Sequence, residues 1–417
     1  MLDIKNIKEV ILGNKKIIEN YFFMTFLQLL NSFFYLLIYP YLIRVFGADL
    51  YGVFVFGTSI AAYFTFWVNF GFDLPATKMI AQNVDNQNVL NDTVSSIFTA
   101  KVYLFLISSI VFSLVLYFVP LFQENWKIFG LCYLAIFSHI LFPQWFFQGI
   151  QKMRVVTGIQ LVCKILSLPF IYLFVNDNND LILYTLIVSC TSLFGGVIAF
   201  FMLRYRYNIL VSLKKTYHLR AWFIEALPFF YSSIIGALKE YSTPILIGLF
   251  FGMKEVAVYD LANKIVIVPR TLFMSVNAAI FPKLINNIRN SIVKKIIFWE
   301  TIVSLGVILS IVVFGKYVVE IMGGKGMEAA YYLAILLSIT IMSWLVVGAY
   351  INFVFIPNNK NYYITINQLI ALVTFIFFTI VGLLIYNNIL ILGGAIALSG
   401  IFEILYCKYK TYKHEML

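Results

Sequence analysis

Residues 361–402 read NYYITINQLIALVTFIFFTIVGLLIYNNILILGGAIALSGIF, with no Asp, Glu, Lys or Arg. A helix needs about 20 apolar residues to cross ~30 Å of hydrocarbon, so this run is long enough for two crossings, and Asn387-Asn388 supplies its polar break. Backbone inside lipid must bond to itself, and the period-two alternation of a membrane barrel is absent, so both crossings are helices, 362–386 and 389–407. The same pattern recurs upstream. It predicts spans over 20–43, 50–72, 93–118, 128–150, 155–175, 181–203, 222–251, 256–281, 296–318 and 329–356. The 417 residues are 62% hydrophobic and only 12% charged, about half the charge of an ordinary soluble domain, which excludes soluble, disordered and disulfide-rich classes. The expected fold is an all-α integral membrane protein of about twelve transmembrane helices.

Charge placement sets the orientation. The net charge of +11 does not point to nucleic acid, because the basic residues fall mainly in short loops. Lys5, Lys8, Lys15 and Lys16, then Arg204, Arg206, Lys214, Lys215 and Arg220, then Lys283, Arg289, Lys294 and Lys295, then Lys408, Lys410 and Lys413 all fall on one side. Both termini are therefore expected in the cytoplasm. Residues 1–19 read as an amphipathic segment on the cytoplasmic surface, with Ile4, Ile7 and Ile11 against Lys5, Lys8 and Lys15, and no cleavable signal peptide is evident.

The longest polar connector, 204–221, divides an N-terminal six-helix lobe, 20–203, from a C-terminal one, 222–407, with a cytoplasmic tail at 408–417. A repeat supports the division. Phe46-Gly47 is followed by Gly52-Val53-Phe54, and Phe251-Gly252 by Ala257-Val258-Tyr259 at the same spacing; Pro75 and Lys78 have rough counterparts in Pro282 and Lys283. Even helix counts make the repeats parallel, two pseudo-symmetric lobes related by an axis along the membrane normal, as in several transporter folds.

Charges inside spans carry the functional reading. Lys101, Lys164, Lys239, Lys264 and Arg270 lie within them, with Glu240 and Asp260. Each costs at least ~2.5 kcal/mol near a helix centre. Lys164 is near the middle of its span, too deep to snorkel easily, whereas Lys101 is ~12 Å from a helix start and either snorkels or serves the cavity. Asp260 and Lys264 are four apart and can pair. Lys239 and Glu240 are ~100° apart around their helix and cannot share a face. The excess of cations predicts a cavity that selects an anion. Pro40, Pro143, Pro169, Pro228, Pro244 and Pro269 interrupt spans as tolerated kinks or as hinges. His139, His218 and His414 are far apart, and HExxH, Walker and GxSxG motifs are absent, so the chain is not expected to be an enzyme. Cys132, Cys163, Cys190 and Cys407 read as thiols in or beside apolar runs, with no metal-ligand spacing. No cofactor is expected beyond H+ or Na+ coupling, for which Glu240 and Asp260 are the candidates.

Arg44-Val45-Phe46-Gly47 with Tyr51-Gly52, Gly71-Phe72 and Pro75-Ala76-Thr77-Lys78 resembles the helix-one-to-two signature of polysaccharide transporters in the multidrug/oligosaccharidyl-lipid/polysaccharide exporter superfamily. The more specific motif is Pro143-Gln144-Trp145-Phe146-Phe147-Gln148-Gly149, followed by Lys152-Met153 and Lys164, which resembles the helix-four-to-five signature of Wzx-type O-antigen flippases. The second half matches more loosely, through Gly252, Val258-Tyr259, Lys264 and Pro282, and Asp260 stands where a small residue is expected, so no role is carried over to it. The resemblance spans nearly the whole chain. It implies a MATE-like fold and a flippase in the bacterial inner membrane that carries undecaprenyl-diphosphate-linked oligosaccharide by alternating access, the diphosphate or acidic sugars meeting Lys164, Arg270, Lys264, Lys239 and Lys101, with Arg44 and Lys78 extending the path or anchoring helix ends. Polymerase and chain-length regulator proteins are the implied partners. A cation-coupled multidrug exporter of the same fold is the rival and should have an acidic cavity; a multispan enzyme such as an O-antigen polymerase should have a large outer loop.

Overall fold

The computed structural model describes residues 15–214, 216–284, 290–358, 360–414 and 416–417. Most of the expected surface segment 1–19, through residue 14, lies outside the described residues, as do Lys215 and Arg289 and the side chains of Pro282 and Lys283. Every regular element among the described residues is helical.

Helix α1, Lys15–Asn69, is far longer than one crossing and breaks at Gly47, whose φ of 70° and ψ of 173° are non-helical. Only glycine adopts such a backbone readily, and the equivalent Gly252, at φ 94°, lies between the helices Thr216–Phe250 and Met253–Leu284. Thus the break turns α1 into the expected first two spans. Then come α2 (Asp73–Gln82), α3 (Gln87–Phe118) and α4 (Pro120–Glu124).

The single helix expected at 128–150 is instead three pieces: α5 (Trp126–Leu134), α6 (Ile136–Leu141) and α7 (Gln144–Gly149). Together they still make one candidate span, Trp126–Gly149, and Pro143 causes the break between α6 and α7. Its ring disfavours helical backbone at the preceding residue, and Phe142 sits at φ −102°, ψ 86°. Next are α8 (Met153–Phe174), α9 (Leu181–Tyr207), α10 (Thr216–Phe250), α11 (Met253–Leu284), α12 (Asn290–Gly323), α13 (Ala329–Tyr350, running into a π turn at Ile351–Phe355), α14 (Asn361–Ile385) and α15 (Ile389–Lys413). Among the described residues nine helices are long and apolar enough to cross a membrane, with Leu219–Tyr231 and Ser233–Phe250 counting as one more, broken span. α1 supplies two crossings within one of those nine.

Packing groups the chain into two compact units: unit one is Met1–Phe34 with Gly57–Ile234, unit two Tyr35–Phe56 with Ile235–Leu417. In unit one α9 packs on α8 and α6, and α2 on α7; Phe72, Phe146, Phe147 and Met153 are buried at its core. In unit two α13 packs against α11, α12 and α15, and α15 against α14, with Phe355, Tyr363 and Cys407 in the core. Without water to drive helices together, close approach of backbones does much of the work. Two motif glycines show it. A Cβ at Gly52 would fall 1.8 Å from the Met253 carbonyl oxygen, and one at Gly149 would fall 2.7 Å from the Ile80 side chain. Large side chains such as Phe118, Phe174, Leu384 and Ile385 are exposed. An apolar surface of that kind belongs against lipid tails.

Candidate functional site

Unit one encloses a cavity of about 490 Å³. It gathers Lys101 from α3, Lys164 from α8, His139 from α6 and the motif residues Trp145 and Gln148 from α7. Asn31, Gln144, Gln160 and Ser192 add amides and a hydroxyl to the wall. Lys101 does not snorkel. Its side chain is 3% exposed, and its ammonium donates to Asp73 Oδ1 and Asn69 Oδ1, each at 2.9 Å. Asn69 ends α1 and Asp73 begins α2, so the turn between these helices presents both acceptors to α3. Lys164 projects over the Phe34 ring, 4.2 Å from its centroid. The family-motif Pro143 enters this site indirectly: by ending α6 it sets the start of α7, from which Trp145 and Gln148 reach the cavity. Gly149 then lets α7 lie against α2.

Unit two holds the remaining cations. Lys239, from α10, donates to Glu403 Oε1 of α15 at 3.1 Å, and both side chains are half-buried. Glu240, ~100° around the helix from Lys239, is exposed. The pairing open to Asp260 and Lys264 is not made. Asp260 Oδ2 instead accepts from the hydroxyls of Tyr35 at 3.0 Å and Tyr51 at 3.1 Å, while Lys264 lies over the Tyr35 ring at 4.7 Å. One tyrosine thus separates acid from base, its hydroxyl serving one and its face the other. Arg270 stacks on Trp344 at 4.5 Å. Arg44 is exposed, and its Nη2 donates at 3.5 Å to the Ile321 carbonyl of α12, a contact that ties one helix end to another. Lys78 is likewise exposed. Gly47 and Gly52 act through the backbone, as described above.

Three acids escaped the sequence reading as members of the interior. Asp73 and Glu403 each engage a deep lysine, and Glu300 of α12 is buried. With them, Asp73, Glu240, Asp260, Glu300 and Glu403 stand against the five cations, and the excess of positive charge expected from the sequence disappears. Among the described residues no three His, Cys, Asp or Glu side chains cluster as a metal site.

This chain shares its fold with solved transporters. The lipid II flippase MurJ in an inward closed conformation superposes with a TM-score of 0.68 over 95% of this chain and 87% of that one, at 13% identity. An inward-facing multidrug resistance MATE family transporter of the MOP superfamily superposes with a TM-score of 0.59 over 92% of this chain and 99% of that one, also at 13% identity. Such identities establish the fold alone. The family follows from the sequence: the family described as "Polysaccharide biosynthesis protein" matches residues 17–288, and the chain belongs to it. A protein of Escherichia coli (strain K12) named "Putative O-antigen transporter" is 25% identical over 328 residues, 77% of this chain and 79% of that one. One of the same name from Shigella dysenteriae is 24% identical over 264 residues, 61% of this chain and 64% of that one.

Proposed function

We propose that the protein is a flippase that moves undecaprenyl-diphosphate-linked oligosaccharide, an O-antigen or related surface-polysaccharide repeat unit, from the cytoplasmic to the outer leaflet of a bacterial inner membrane. The observation that carries this reading is the unit-one cavity, where Lys164 shares a wall with the Lys101–Asp73 pair and with Asn31, Gln144, Gln148 and Gln160. An ionised group moved unaided into hydrocarbon costs tens of kcal/mol by Born estimates. Ammonium groups replace water around a phosphate, and amides replace it around sugar hydroxyls. The cavity falls in the ~300–1,000 Å³ range of ligand sites. Family membership and the names of the two relatives support the same assignment.

In this reading both termini are cytoplasmic, and two repeat-related lobes alternate access while the polyprenyl tail stays in lipid. The cations that contact diphosphate or acidic sugar are Lys164 and Lys101 of unit one and Arg270, Lys264 and Lys239 of unit two, and Asp260 or Glu240 couples transport to H+ or Na+. Lys164→Ala and Arg270→Ala should each abolish surface polysaccharide in cells while membrane abundance of the protein stays unchanged. Full surface polymer in both variants would defeat the assignment. For the multidrug exporter the discriminating measurement is the drug-resistance profile of a deletion strain, which should be unaltered here.

A further inference from the structure

Unit two has a second cavity, of about 520 Å³, between the first turns of α12 and the last turns of α15. Lys294 and Lys408 stand at it, and Ile297 and Leu405 line its apolar side. Both lysines are exposed, and neither takes part in an ion pair among the described residues. Their neighbour Lys410 differs, lying over the rings of Tyr363, Tyr406 and Tyr409. In the cavity wall Thr411 is 4% exposed, and its buried hydroxyl has no hydrogen-bond partner. Leaving such a group unmet costs about 1–3 kcal/mol.

Depth narrows the ligand. The apolar run of α15 ends at Cys407, immediately before Lys408, and the apolar run of α12 begins at Ile296, just after Lys294. Both ammonium groups therefore lie at the edge of the hydrocarbon, on the face where the chain's basic residues concentrate. Tyr409 and Tyr412, both exposed, flank the opening as aromatic residues do at a membrane interface. One end of the cavity is cationic and the other apolar, the complement of an amphiphile with an anionic head.

We propose that this cavity binds an anionic phospholipid of the surrounding bilayer, its phosphate between Lys294 and Lys408 and an acyl chain along Ile297 and Leu405. Free phosphate would satisfy the lysines and leave the apolar wall uncovered. The site is separate from the residues assigned to transport, so it stands whether or not the flippase reading does.

Native mass spectrometry of the full chain in neutral detergent tests it, with dioleoyl phosphatidylglycerol titrated against dioleoyl phosphatidylcholine, inorganic phosphate and undecaprenyl phosphate. Each of Lys294→Ala and Lys408→Ala should weaken the tightest phosphatidylglycerol site about five-fold, and the pair about thirty-fold. Lys410→Ala and the charge-keeping pair Lys294→Arg with Lys408→Arg should bind as the parent does. Phosphatidylglycerol binding unchanged in the double alanine variant would overturn the proposal. So would loss in the arginine pair, displacement by inorganic phosphate, equal affinity for phosphatidylcholine, or tighter binding of undecaprenyl phosphate at the same residues.

Discussion

Lys101 in unit one and Lys239 in unit two are both deep lysines bonded to a carboxylate, yet the pairs differ in which partner is hidden. The Lys101 side chain is 3% exposed against 52% for Asp73, while Lys239 and Glu403 are nearly equal at 21% and 18%. Removing one partner of a buried pair is costly chiefly because the other is stranded without solvent. The first pair should therefore respond very differently to the loss of either end, and the second alike to both. Asp73→Ala strands an ammonium with Asn69 as its remaining partner and should lower stability by about 3 kcal/mol. Lys101→Met leaves a half-exposed carboxylate that the cavity can hydrate, and should cost under about 1 kcal/mol. For unit two, Lys239→Met and Glu403→Gln should cost similar amounts, about 1–2 kcal/mol each. Thermal unfolding in detergent reads all four. Equal losses for Asp73→Ala and Lys101→Met would break the asymmetry.

A second contrast lies inside unit two, between cations met by carboxylates and cations met by rings. Lys264 and Arg270 rest on Tyr35 and Trp344. A ring face attracts a cation without neutralising it, for about 0.5–2 kcal/mol, less than the roughly 1.5–3 kcal/mol of a hydrogen bond to a charged group. Lysine and arginine held in this way remain available to an incoming anion. Asp260 is the mirror case, an acid met by hydroxyls. Tyr35→Phe and Tyr51→Phe each remove one of two bonds to the same oxygen, and the survivor can shorten, so each alone should cost about 1 kcal/mol. The double variant should cost more than the sum, measured again by thermal unfolding. Simple additivity would mean that the two hydroxyls act independently.

The spans were legible because a 20-residue apolar run has few other uses, and even the repeat of Phe46-Gly47 at Phe251-Gly252 turned out to mark two left-handed glycines. Trp145, Gln148, Lys101 and Lys164 were legible as candidates and line one cavity. The partners were not legible. Asp73 lies 28 residues from Lys101 and Glu403 lies 164 from Lys239, each on a different helix, so no local spacing announces them. Local spacing also suggested too much: Asp260 and Lys264 are four apart and could pair, but Tyr35, brought in from α1, lies against both. His139 and Gln160 carried no motif, and only the interruption of α5 to α7 around Pro143 helps to place the former on the cavity.

The smallest expected effect is the sharpest test of the ring-held class. Trp344 is half-exposed, so Trp344→Leu removes a stacking face from Arg270 and little packing, and stability should fall by only about 0.5 kcal/mol, the low end for such contacts. Transport should fall further than that, because the ring fixes a flexible side chain in one place and an unplaced guanidinium meets its ligand less often. Trp344→Phe keeps a face of weaker quadrupole and should lie between. The measurement is paired: thermal unfolding of the purified protein beside surface polysaccharide in cells at matched abundance. A stability loss as large as that of Asp73→Ala would show that Trp344 is a packing residue and that Arg270 is held as tightly as the ion-paired lysines. If surface polymer stays at the parent level while stability falls by the small expected amount, the stacking has no part in presenting Arg270 to an anion.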